Sequence, residues 1–378
     1  MTLDKTTVDA FPGDEPAWPT VTDGYAPDAR NMQGVWRRRV LIVVPTLNEA
    51  AHIEAILTHL IDEISPSADA RIVVVDGGST DGTPDQVAIF AERHSAIRFL
   101  HNPARIQSAG VNLAVRQFGR DAEVLIRCDA HAGYPDRFCE QLLAALEHSG
   151  ADAVVVPLDS VGHTALQRAV AWVSNSIVGT GGAAHRAGRR SAFVDHGHHA
   201  AFQVETFRRI GGYDETFSHN EDAEFDCRQR ALGAKVYLDA GIRLQYCPRG
   251  TWTGLALQYY CYGAGRARTL RRHPTSIRLR QLLVPANLVL MILALALSPY
   301  FVGFLLWPAL YLTVLATTSL SMALRHRATD GLLTGPAAAV MHTAWAVGLL
   351  SGIFGGRDSV WRAQMAIPLW DSESRVHR

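Results

Sequence analysis

Acids, amides and hydroxyls stand at the ends of apolar runs in this sequence, and their types suit phosphate chemistry. Asp76-Gly-Gly-Ser-Thr-Asp-Gly82 follows Ile72-Val-Val-Val75, a run that can be buried on both faces as an inner strand must be. Gly77 and Gly78 permit a sharp turn there, and Ser79, Thr80 and Asp81 can cap a following helix. Ligands of open α/β sheets bind beyond the carboxyl ends of the strands, which directs Asp76, Ser79 and Asp81 toward a ligand. Pro45-Thr-Leu-Asn-Glu49 ends a second apolar run, Val40-Leu-Ile-Val-Val44. Asn48 can cap the next helix, and the loop fits either a plain turn or a second wall of the same pocket.

Asp129-Ala-His131 ends a further run, Glu123-Val-Leu-Ile-Arg-Cys128. An acid with a second ligand-capable side chain two residues on suits a divalent cation whose other positions are filled by phosphate oxygens and water. Arg105, before the helix that starts near Gln107, could meet an anion together with free helix amides, or could simply be solvated. Asn220-Glu-Asp222 places two carboxylates in a first helical turn. That arrangement fits helix capping, and it equally fits a general base if Asp222 faces the strand tips. In His196-Gly-His-His199 alternate side chains point to opposite faces, and no H-E-x-x-H helix accompanies them. An acceptor-binding strand is expected there in preference to zinc.

The elements that must position these groups are read from periodicity. Ile53, Ile56, Leu57, Leu60, Ile61 and Ile64 form a helical stripe after the first strand, and Val111, Ala114, Val115 and Phe118 form another after a short strand at 97–101. A fifth strand is expected from Ala153 to Leu158 and a helix from about Leu166 to Val178. Repeated strand and helix pairs with polar tips predict a doubly wound α/β domain. The glycine- and arginine-rich 179–190 could close over a ligand or merely connect.

Among 378 residues, 36 basic side chains balance 36 acidic ones, so no global basic field calls for nucleic acid. Five scattered cysteines without a C-x-x-C pair argue against a disulfide framework or a cysteine zinc site. No G-x-G-x-x-G follows the first strand, which disfavours dinucleotide chemistry. The first forty residues lack the apolar core of a signal peptide, so the catalytic part is expected in the cytoplasm. The division expected is a disordered leader at 1–38, with Trp18, Tyr25 or Trp36 available for docking, and a catalytic domain at 39–250. An amphipathic interfacial segment at 251–280, apolar membrane helices at 281–356 and a tail at 357–378 follow. The uncharged stretches 282–297 and 301–324 are expected to form a spanning hairpin, with 331–356 a third span or a re-entrant helix. Aromatics and then arginines between Trp252 and Arg280 predict contact with an anionic leaflet.

These motifs, in order and in approximate spacing, resemble family 2 glycosyltransferases of the GT-A fold, over about 39–270. The likeness extends to exopolysaccharide-assembling members through Asn102-Pro-Ala-Arg105, Gln107-Ser-Ala109 and Cys128-Asp-Ala-His131. The resemblance implies a Rossmann-like, mostly parallel sheet with flanking helices. It implies that Pro45, Thr46, Asn48, Glu49, Asp76 and Ser79 surround the uridine of a UDP-sugar, and that Asp81, Asn102, Arg105 and Asp129 complete the nucleotide-sugar pocket. Asp129 and His131 would hold Mn²⁺ or Mg²⁺, His131 standing where the family's DxD motif has its second acid; histidine favours manganese. Asp222 would be the catalytic base with Glu221 beside it, and His198, His199 and Gln258 would face the acceptor. Gln258-Tyr-Tyr-Cys-Tyr262 lacks the Arg-Trp pair of processive synthases. The implied activity is inverting transfer of a hexose, glucose for choice, to a lipid-linked (polyprenyl diphosphate) saccharide at the cytoplasmic membrane. A polyprenyl-phosphate monosaccharide synthase, or a non-catalytic nucleotide-sugar-binding scaffold, are the alternatives.

Overall fold

Apolar, β-branched strands with no polar face need cover on both sides, and helices supply it. In the computed structural model, which describes residues 35–64, 68–181 and 190–355, β1 (Val40–Thr46), β2 (Ala70–Asp76), β3 (Ile97–His101) and β4 (Val124–Arg127) pair in parallel in the order β3-β2-β1-β4. Along β1 the side chains alternate between two cores. Val40, Ile42 and Val44 pack in one with the helices Ile53–Glu63 and Phe138–Ser149; Leu41 and Val43 pack in the other with Gln107–Phe118 and Glu221–Ala231. The chain leaves β1 toward β3 and returns to place β4 on the other side. The topological switch therefore lies between β1 and β4, where a ligand crevice is expected.

The expectation of a mostly parallel sheet is modified beyond β4. β9 (His198–Gln203) inserts antiparallel between β4 and β6 (Ala153–Val156), and β10 (Val236–Leu238) and β8 (Ala192–Phe193) complete an eight-stranded mixed sheet. The strand expected from Ala153 to Leu158 is broken at Pro157, which has no N–H to donate to a ladder. Its continuation, β7 (Leu158–Ser160), joins β11 (Leu244–Tyr246) and β5 (Ala132–Gly133) in a separate three-stranded sheet. The helix expected near 166–178 is two pieces, Ala165–Ser174 and Ile177–Thr180. Of the expected leader, Trp36 is buried and donates to Glu140 (3.1 Å); residues 1–34, the core of the 179–190 loop (182–189) and the tail lie outside the described residues.

The helix Trp252–Arg272 lies along Thr334–Gly355 with backbones almost touching. A Cβ at Gly263 would fall 2.1 Å from the Trp345 carbonyl oxygen, and one at Gly348 2.1 Å from that of Tyr260. Val170 and Val173 of the catalytic part share a core with Leu255, Leu315, Ala337, Ala338 and Met341. Four of the arginines expected to face lipid headgroups bond to the protein itself. Arg266 donates to Ser276, Arg268 to Thr216 and Arg271 to the Gly352 carbonyl, while Arg272 pairs with the fully buried Asp214. A buried carboxylate without a cation would be costly, and Arg272 meets that need. Val302–His326 and Thr329–Gly355 have the length and composition of membrane spans. The first expected span is shorter, Gln281–Leu297, within a helix that contains Pro285.

Candidate active site

The loops after β1 and β2 are tied into one wall. Asp76, 1% exposed, accepts from Thr46 Oγ1 and Ser79 Oγ on one oxygen and from the Gly78 and Ser79 amides (2.8 and 2.9 Å) on the other. Asn48, in the left-handed region at φ 58°, donates its amide to Ser79 Oγ (2.7 Å), and its Oδ1 accepts from the Thr80 amide (2.9 Å). It does not cap the next helix, whose N-cap is His52. Asp81 accepts from the Ala50 amide and from Thr83. Asn102, also buried, shapes the loop that presents Arg105, accepting from Ala104 N and donating to the Ile106 carbonyl. A Cβ on Gly77 would lie 3.4 Å from Arg105 Cα, so this third loop adjoins the second. The structure thus brings together Pro45, Thr46, Asn48, Glu49, Asp76, Ser79 and Asp81 at the end of β1 and β2, with Asn102 and Arg105 beside them.

Across the switch point stand Asp129 and His131. Gln107 Nε2 donates to Asp129 Oδ1 (2.7 Å), and His198 Nε2 lies 3.7 Å from Oδ2. His131 Nδ1 donates to Glu49 Oε1 at 2.8 Å. A proton on Nδ1 leaves the lone pair on Nε2, the arrangement in which a metal-binding histidine is held by a carboxylate. Glu49 Oε2 is buried and has no hydrogen-bond partner. Among the described residues no three metal-ligating side chains gather at one point. Asp129 and His131 therefore fit a cation as a two-residue donor set, the rest of whose ligands would come from a bound diphosphate and water.

The third wall is the start of the helix Glu221–Ala231. Asn220 is left-handed at φ 66° and makes no capping bond, its Nδ2 donating instead to Thr269. Asp222 receives Arg127 Nη1 at 2.8 Å and Nη2 at 3.4 Å, and the same guanidinium lies 3.8 Å from Asp129. One buried arginine at the end of β4 therefore joins Asp129 to Asp222 of the helix. His198 and His199 diverge: His198 is partly exposed beside Asp129, whereas His199 is enclosed by Phe202, Tyr213 and Phe225. Gln258 Nε2 donates to Tyr246 Oη (2.6 Å) and Tyr262 Oη (3.1 Å).

Residues 41–211 match the model of glycosyl transferase family 2. The succinoglycan biosynthesis protein ExoA of Rhizobium meliloti is 43% identical over 317 residues, covering 82% of this chain and 93% of that protein. The chain belongs to glycosyl transferase family 2. This glycosyltransferase is also 31% identical over 110 residues to an undecaprenyl-phosphate mannosyltransferase of Micrococcus luteus, covering 29% of this chain and 44% of that one. Its fold is that of the mannosyltransferase PcManGT of Pyrobaculum calidifontis, solved with GDP-Man and Mn²⁺, with a TM-score of 0.57, 21% identity and coverage of 85% and 88%. The chain is therefore an enzyme and not a non-catalytic scaffold.

The electrostatics of the family 2 site separate its two adjacent acids. Burial pushes the Glu221 carboxyl up, and the neighbouring Asp222 charge adds to this, to about 7. Asp222 is driven the other way: burial opposes its ionisation, yet Arg127 and His199 hold it well below the usual carboxylate range. Burial likewise works against a charged His131, but Glu49 and Asp129 outweigh it and leave its pKa raised. His198, beside Arg127, is pushed down to about 4, by burial first and although Asp129 opposes it. Sequence reasoning missed Arg127, Tyr213 and Asp226 in the glycosyltransferase. Two signals were available: a cation closing an otherwise apolar strand two residues before Asp129, and Asp226 one helical turn after Asp222 on the same face.

Proposed function

We propose that this glycosyltransferase moves a hexose, glucose in our reading, from a UDP-sugar to a polyprenyl diphosphate-linked saccharide in exopolysaccharide assembly, with inversion. The observation that carries the reading is the bridge of Arg127 between Asp129 and Asp222, which sets a donor-side acid and an ionised acid at one crevice. The resemblance to ExoA over most of both chains supports the pathway class.

In this mechanism the β1 and β2 loops, with Asp76 and Ser79, form the nucleoside wall, and Arg105 approaches the diphosphate from the β3 loop. Asp222 accepts the proton of the acceptor hydroxyl as that oxygen forms a bond to the anomeric carbon. The bond to the UDP oxygen breaks on the opposite face and its electrons leave with the diphosphate. Glu221, whose proton is retained to higher pH, assists by binding the acceptor. Asp129 and His131 would hold a divalent cation, Mn²⁺ before Mg²⁺, which when bound supplies neutralising charge to the departing diphosphate. His198, beside Asp129, and Gln258 lie toward the acceptor in this reading.

The enzyme is held at the cytoplasmic membrane in more than one pass, with its catalytic part on the cytoplasmic side. Asp330 bonds Arg168 of the catalytic part at 2.7 Å, so the turn after the helix Leu306–His326 lies on that side. The opposite end of that helix is reached through Leu279–Leu297, whose 19 residues rise about 29 Å, roughly the hydrocarbon thickness. A second reading, sugar transfer to polyprenyl phosphate itself, is favoured by the likeness to the undecaprenyl-phosphate enzyme.

The test is calorimetric binding of UDP to the detergent-purified protein with and without Mn²⁺, followed by transfer from radiolabelled UDP-glucose to native membrane lipid. Asp129→Ala is expected to lose the metal-dependent part of binding. Asp222→Asn is expected to bind UDP normally and lose transfer by at least 10²-fold; near-normal turnover in it would remove Asp222 as the base. Acid lability of the labelled lipid and its chain length separate the two acceptors.

A further inference from the structure

Behind Asp222 runs a chain of ionisable side chains that the transfer step leaves without a role. His199 of β9 is fully buried, at 0% exposure. Its Nδ1 lies 3.2 Å from Asp222 Oδ1 and 2.9 Å from Tyr213 Oη, and its Nε2 lies 2.8 Å from Asp226 Oδ1. Asp226, 1% exposed, takes His196 Nδ1 on its other oxygen at 2.6 Å, while Gln229 Nε2 donates to Oδ1 at 3.3 Å. Asp222 and Asp226 are four residues apart on Glu221–Ala231, so one helix face presents both carboxylates to β9. The imidazole plane is further fixed by Phe202 and Phe225, edge to face, and by Tyr213, stacked.

Two rigid cations from neighbouring strands therefore flank one carboxylate. Arg127 reaches it from β4 and His199 from β9, while Tyr213 bonds to both of them. His199 Nδ1 and Arg127 Nη1 share Asp222 Oδ1 while Arg127 Nη2 takes Oδ2, and a short carboxylate held on both oxygens keeps one rotamer. We propose that His199 is a positioning residue of the transfer site, locked by Asp226 so that it holds the Asp222 carboxylate in a single orientation. The assignment rests on Asp222 being the base. His199 touches neither the crevice surface nor the reacting atoms; it acts through Asp222.

The charge balance supports this. The groups that face Asp222 are Arg127, His199 and Tyr213, with Glu221 beside it and Asp129 and His198 felt across the crevice. Both carboxylates of the pair lie below their ordinary range: burial opposes ionisation at each, and His199 counteracts it at each. Removing the imidazolium would leave Asp222 with one cation and a freer rotamer, and would raise its proton affinity.

The experiment compares wild type, His199→Gln, Asp226→Asn and Asp222→Asn in the full-length, detergent-purified enzyme. It measures UDP binding with Mn²⁺, and kcat, KM and the pH profile of transfer from UDP-glucose to native membrane lipid. His199→Gln is expected to bind UDP within twofold of wild type, keep KM and lose kcat by roughly 10- to 100-fold. The acidic limb of its kcat profile is expected to move to higher pH by about one unit. Asp226→Asn, which leaves the imidazole in place but unlocks it, is expected to show the same split and carries the test if the histidine variant fails to fold. An unchanged kcat and pH limb in both would overturn the proposal, as would parallel loss of UDP binding and turnover, the mark of a merely structural role. Wild type that transfers while Asp222→Asn also transfers overturns the base assignment instead, and wild type that transfers nothing overturns the function proposed above.

Discussion

His131 Nδ1 lies 2.8 Å from Glu49 Oε1, so the histidine just after β4 is joined directly to the loop after β1. The contact spans the switch point of the sheet and makes the crevice one unit. In the proposed cation site, Glu49, from the loop after β1 and buried to about nine-tenths of its side chain, would supply a carboxylate behind His131.

Glu49→Gln follows from this. The substitution keeps shape and removes the charge that orients and enriches the imidazole. Metal affinity is expected to weaken by roughly 10-fold or more, the usual effect of losing the carboxylate partner of a ligating histidine. Calorimetry of UDP against Mn²⁺ concentration reads it directly, and an unchanged metal dependence would show that Glu49 does not tune His131.

Stability should fall on the alkaline side. Burial opposes a charged His199, but Asp226 and Asp222 outweigh it and raise its pKa from the ordinary 6.5 to about 9. The folded value exceeds the unfolded one, so this stabilisation is complete below about pH 6.5 and is lost as pH rises through about 9. The amount is on the order of 3 kcal/mol. Glu221 is also raised, from 4.5 to about 7, and its loss occurs in the lower window between those values. Thermal unfolding in detergent at fixed salt should therefore show a Tm decline between about pH 7 and 9.5 that His199→Gln flattens. A Tm equally pH-sensitive in that variant would place the titrating group elsewhere.

Gly263→Val should separate the helix Trp252–Arg272 from Thr334–Gly355. Its Cβ would meet backbone, the Trp345 carbonyl oxygen at 2.1 Å, and neither helix can yield without losing Gly348 and Gly352 as contacts. Overpacking of this kind costs about 1–3 kcal/mol or more. The expected result is a lower Tm and faster proteolysis between Trp252 and Gly355, with UDP binding by the remaining sheet largely retained. Wild-type protease resistance would show that the helices do not pack through these glycines.

Much of the side built on β1, β2 and β4 was legible in the residues alone. β1, β2 and β4 are uninterrupted apolar runs, and the polar residues that end them had to lie at one edge of a parallel sheet. Asn48, Asp76, Ser79, Asp81 and Asp129 follow from that local rule, because a buried strand and its turn are written within a few consecutive residues. The helix caps did not follow. Asn48 and Asn220 adopt left-handed backbone and give their side chains to Thr80 and Thr269, partners supplied by the fold.

The side built on β9 and the helix Glu221–Ala231 was decided by tertiary structure. His199 reads in sequence as one of three histidines near an acceptor, and it becomes the buried partner of Asp222 only because β9 runs antiparallel between β4 and β6. The arginines of Trp252–Arg272 read as a headgroup band, yet Asp214, Thr216, Ser276 and Gly352 claim them. Periodicity and turn chemistry act over a few residues, so a sequence displays them openly. Which cation neutralises which buried carboxylate is set by desolvation among groups 23 to 95 positions apart, and only the packed chain brings those charges together.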